Sequence, residues 1–175
     1  ISEKVIDMSY MFSVCGDLKF IDSTKFNTSK VTDMSFMFQD CFYLTSVDVS
    51  NFDTSNVITM CGMFQECNSL SIIDVSHFKT DKVNDMSYMF EHCSKITEIN
   101  VRNFNTKEVT DMSFMFQYCS KLSSIDLSNF NTDNVVDMSH MFNIEQVYTY
   151  EDFFLNKILF NLNKKYENNK NANLL

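Results

Sequence analysis

Six methionines, Met8, Met34, Met60, Met86, Met112 and Met138, stand 26 residues apart. The step is shared by Met11, Met37, Met63, Met89, Met115 and Met141, and by Phe12, Phe38, Phe64, Phe90, Phe116 and Phe142. Cys15, Cys41, Cys67, Cys93 and Cys119 follow it, as do Leu18, Leu44, Leu70, Ile96 and Leu122. Phe26, Phe52, Phe78, Phe104 and Phe130 form a second aromatic column, and Thr28, Thr54, Thr80, Thr106 and Thr132 a threonine column. No insertion breaks the frame before Phe142. A unit this short cannot bury its own apolar face. Stacked units bury theirs against one another, so the pattern demands a solenoid with one continuous core.

Each unit holds two local periods. Met34, Met37, Phe38 and Cys41 are spaced i, i+3, i+4, i+7, which predicts one face of a short helix. Asp33 precedes them, with Asp7, Thr59, Asp85, Asp111 and Asp137 in the same place, and is expected as an N-cap. Leu44, Val47 and Val49 end in the alternation of a strand. Asn51, Asp53, Thr54, Ser55 and Asn56 then supply turns through side chain to backbone bonds. That chemistry explains a chain with 2 Gly and no Pro. The expected fold class is an α/β tandem-repeat solenoid, right-handed and leucine-rich-repeat-like, with parallel strands on one face and short helices on the other. Strands stack at about 4.8 Å and helices at about 8–10 Å, so such a stack would bend with its strands on the concave side.

The expected divisions are a solenoid over residues 1–142, a capping helix or divergent segment over 143–166, and a disordered tail over 167–175. The expected core ladder comprises Met34, Phe38, Cys41, Leu44 and Phe52, then Met60, Phe64, Cys67, Leu70 and Phe78. It continues through Met86, Phe90, Cys93 and Phe104 to Met112, Phe116, Cys119 and Leu122.

A net charge of −9 argues against nucleic acid, whose phosphates require clustered cations. No run approaches the roughly 18 apolar residues of a membrane span. The chain starts at Ile1 inside the repeat pattern, which reads as part of a longer polypeptide. Nucleophile elbows, phosphate loops and metalloprotease motifs are missing from the sequence, and neither catalysis nor a cofactor is expected.

The string Phe-Asn-Thr-x-x-Val-x-Asp-Met-Ser-x-Met-Phe-x-x-Cys runs from Phe26 to Cys41 and again from Phe104 to Cys119. With Leu-x-x-Val-x-Val-x-x-Phe it resembles the 26-residue BspA family leucine-rich repeat surface proteins, over Val5 to about Phe142. The resemblance implies a cell-surface or secreted, non-catalytic protein that binds protein or glycan in adhesion. A structural spacer in a longer repeat array is the alternative.

Asp22, Asp48, Asp74, Asn100 and Asp126 form a polar column at the expected strand centre. With Lys25, Asn51, His77, Asn103 and Asn129 they make the candidate binding face for a protein or glycan. Stacked carboxylates need solvation, hydrogen bonds, calcium or a cationic partner. The cysteine column lacks zinc-module spacing. Helices about 8–10 Å apart would also keep neighbouring thiols from disulfide distance, so the column is expected as buried core. Cys61 stands out of that phase as the candidate reactive thiol. Tyr10, Phe36, Tyr88 and Phe114 share another column, with Gly62 and His140 in its gaps; packing between turns and an exposed aromatic ridge both fit it.

Overall fold

The computed structural model describes residues 4–142. Coil 1 is defined as residues 5–30, coil 2 as 31–56, coil 3 as 57–82, coil 4 as 83–108, coil 5 as 109–134, and coil 6 starts at 135. The expected segment 143–166 and tail 167–175 lie outside the described residues.

The described residues stack as a solenoid but contain no helix, and their β-structure is confined to isolated parallel bridges. The α/β expectation, helices on one face and strands on the other, is therefore wrong. The Met-Ser-x-Met-Phe-x-x-Cys segment is a run of linked turns. Met37 N–H donates to Met34 O, Gln39 N–H to Phe36 O, and Cys41 N–H to Phe38 O, each three residues back. The amides between them leave the coil: Phe36 N–H donates to Cys61 O, Phe38 N–H to Met63 O, and Asp40 N–H to Gln65 O. A helix would keep all of these bonds to itself.

Backbone angles show how the alternation is built. Phe36 (φ 56°) and Asp40 (φ 58°) are left-handed, each the third residue of its turn, as type II geometry requires. The same two positions are left-handed in Tyr10 and Val14, Gly62 and Glu66, Tyr88 and His92, and Phe114 and Tyr118. Turns that point residues 34, 37, 38 and 41 inward reproduce the apolar spacing of a helix. Pattern alone does not separate the two.

Stacking geometry supplies the reason the turns win. Backbone bonds between coils recur on this side, as in Met60 N–H to Asp85 O and Phe64 N–H to Met89 O. They also recur at the bridges Asp7 to Asp33, Asp33 to Thr59, Thr59 to Asp85, Asp85 to Asp111 and Asp111 to Asp137. Hydrogen-bonded neighbours sit about 4.8 Å apart, and a helix about 10 Å across does not fit that pitch. With no wider helical layer, the mismatch expected to bend the stack around a concave strand face has no source.

Inside, the columns superpose. Phe12, Phe38, Phe64, Phe90, Phe116 and Phe142 stack face to face with ring centroids 5.4 to 5.8 Å apart. That lies in the favourable offset-stacked range. Met34, Phe38, Cys41, Leu44, Met60, Phe64, Cys67, Leu70, Met86, Phe90, Cys93 and Met112 are sealed from solvent, and Phe52, Phe78, Phe104, Phe116 and Cys119 nearly so. Leu122 is half-buried against them. Threonine fastens the other corner. Thr80 Oγ1 accepts from Asn105 N–H at 2.8 Å and donates to Asn105 O at 3.0 Å, and Thr54 treats Lys79 in the same way. One hydroxyl thereby satisfies both backbone groups of a residue in the next coil.

Candidate functional site

The structure assigns internal work to most of the polar column. Asp48, Asp74 and Asp126 accept the amides of Ser50, Ser76 and Ser128 at 2.9 to 3.0 Å. Asp22 accepts from Thr24 and Asn100 from Arg102. These side chains close turns within their own coil. Hydroxyl and then amide bonds from the same serines hold Asp48, Asp74 and Asp126 below the ordinary carboxylate range, and Thr24 does so for Asp22. The carboxylates are therefore ionised at neutral pH.

The neighbouring column staples coils together. Asn51 Nδ2 donates to Ser23 O and Phe26 O, and Asn103 Nδ2 to Ser76 O. Asn129 Nδ2 donates to Phe104 O at 2.7 Å, and His77 Nε2 lies 2.9 Å from Val49 O as its donor. Asn51, His77, Asn103 and Asn129 are thus bound to the preceding coil. Lys25 is exposed and lowers Asp22 further by its charge.

Two grooves adjoin these columns in coils 3 to 5. A groove with a cavity volume of about 380 Å³ is lined by Ser71, Ile72, Ile73, Asp74 and Ser76 on one coil and Thr97, Glu98 and Asn100 on the next. A second, of about 200 Å³, continues from Glu98 to Arg102 onto Ser124, Ile125 and Asp126. Glu98 and Asn100 line both. Ile72 is 73% exposed, and Arg102 Nε meets Asp126 Oδ2 at 3.0 Å.

Asp74, Asn100 and Asp126 were expected here; Ile72, Glu98 and Arg102 were not. A signal existed for Arg102 alone, since Thr24, Ser50, Ser76 and Ser128 share its position, whereas Phe20, Ser46 and Ser124 give the position of Ile72 and Glu98 no common type. In coil 4, Asn100 keeps the turn acceptor while dropping the charge, and Arg102 adds a cation that reaches coil 5.

The thiols do other work. Cys41, Cys67, Cys93 and Cys119 donate to Phe12 O, Phe38 O, Phe64 O and Phe90 O at 3.1 to 3.2 Å. Burial raises all four, Cys41 to about 11 and Cys119 to about 12. At the observed pitch, helix separation no longer bars a disulfide; the thiols are free and turned onto carbonyls. Cys61 lies 3.2 Å from Ser87 Oγ, and burial raises it to about 11. It is protonated at neutral pH, the opposite of a reactive thiolate.

The aromatic column is broken at Gly62. A side chain there would meet the Phe36 ring at 2.4 Å, because that ring lies over the glycine. Tyr10 stacks on Phe36 at 5.0 Å, while Tyr88, Phe114 and His140 form a separate stack. The rings pack between turns while Tyr10 stays 56% exposed. Among the described residues no group of three His, Cys, Asp or Glu is placed to hold a metal ion.

With this architecture in view, comparison with known proteins is informative at the family level. The family described as "Mycoplasma protein of unknown function, DUF285" matches residues 6–100 and, again, residues 73–172. The chain belongs to the DUF285 family. Its second match runs past Phe142, where the 26-residue frame stops being legible in the columns. No curated protein and no solved structure matches the chain.

Proposed function

We propose that this DUF285 solenoid is a non-catalytic binding module, displayed at the cell surface or secreted, and that the grooves of coils 3 to 5 are its contact face. One observation carries the reading. Asp74, Glu98, Asn100 and Asp126 line two adjoining grooves together with the exposed Ile72 and with Arg102, which is tied to Asp126. The resemblance to BspA-type surface repeats adds adhesion to protein or glycan as the setting. Cys41, Cys61, Cys67, Cys93 and Cys119 are held protonated by burial and the column carboxylates close turns, which supports a non-catalytic reading.

The test is a peptide and glycan array probed with the intact chain and with an Ile72→Arg/Ser124→Arg variant. Both positions are exposed, so the core is untouched. The expected result is a bound class of ligand whose capture falls at least about tenfold in the variant at unchanged Tm. Equal capture by both proteins would place the contact face elsewhere on the chain, and capture by neither would favour a spacer in a repeat array.

A further inference from the structure

We draw no further inference here: the strongest candidate, the edge of coil 1, where the carbonyls of Asp7, Ser9, Met11 and Ser13 accept no backbone amide among the described residues and Tyr10, Met11 and Val14 are exposed, carries nothing because nothing in the structure shows what covers it.

Discussion

The two long sides of this solenoid are bonded to different extents. On the turn side, residues such as Met60, Gly62, Phe64 and Glu66 all reach across to Asp85, Ser87, Met89 and Glu91 through backbone bonds, and the same set repeats at each junction from coil 1 to coil 5. On the opposite side, bridges hold coil 2 to coil 3 and coil 4 to coil 5, while coils 1 and 2, and coils 3 and 4, meet without one. The turn side therefore sets the pitch. The other side is spared part of that duty and has room for a groove and for side chains that ignore the period.

Predictions follow from that contrast, ordered by expected effect. Phe64→Ala removes a ring stacked between Phe38 and Phe90 and is expected to cost about 3–5 kcal/mol, read by denaturant titration. A loss below about 1 kcal/mol would mean that the aromatic column does not hold the coils. Thr80→Val leaves the Asn105 amide and carbonyl without their shared hydroxyl, at an expected cost of about 1–3 kcal/mol. The same substitution at the exposed Thr97 is expected to stay within about 0.5 kcal/mol.

Gly62→Ala places a Cβ 2.4 Å from the Phe36 ring in a left-handed backbone. A cost of about 1–3 kcal/mol is expected. Phe36→Ala should recover the steric part of it in a double-mutant cycle; an additive cycle would show that the ring does not rest on the glycine.

Acid tests the weakest bonds. Asp7, Asp48, Asp53 and Asp74 have folded values below 3.8, held there first by serine hydroxyls and then by serine amides. A lowered folded pKa contributes stability that is present above the unfolded value and lost as pH falls through the folded one. Tm should therefore be level from pH 7 to about 5 and fall below about pH 4. Asp40 has the reverse sign, since burial and then Glu66 raise it. Asp40→Asn should gain a little at neutral pH, where the wild-type carboxylate is strained, and nothing in acid.

Much of this architecture was legible as columns. The 26-residue step foretold that Phe38, Phe64 and Phe90 lie above one another, because identical side chains at a fixed interval superpose in a stack. Turn chemistry at Asp53 and Ser55 was legible for a local reason: an Asx side chain finds its amide two residues on, whatever the rest of the chain does. The acidic column was legible too, and the same local rule accounts for the bond from Ser76 N–H to Asp74; that Asp74, Asn100 and Asp126 also line grooves depends on how neighbouring coils meet.

Order along the chain determined the interval, the inward set and the sites of the turns. Tertiary stacking decided what that set became. Met34, Met37, Phe38 and Cys41 suit a helix or a run of turns equally well, since both point the same residues inward. A helix satisfies its amides locally, whereas coils bonded side to side need every second amide for the neighbour. The pitch between coils is a property of the assembled stack, and so is the interrupted junction beside Ile72 and Glu98.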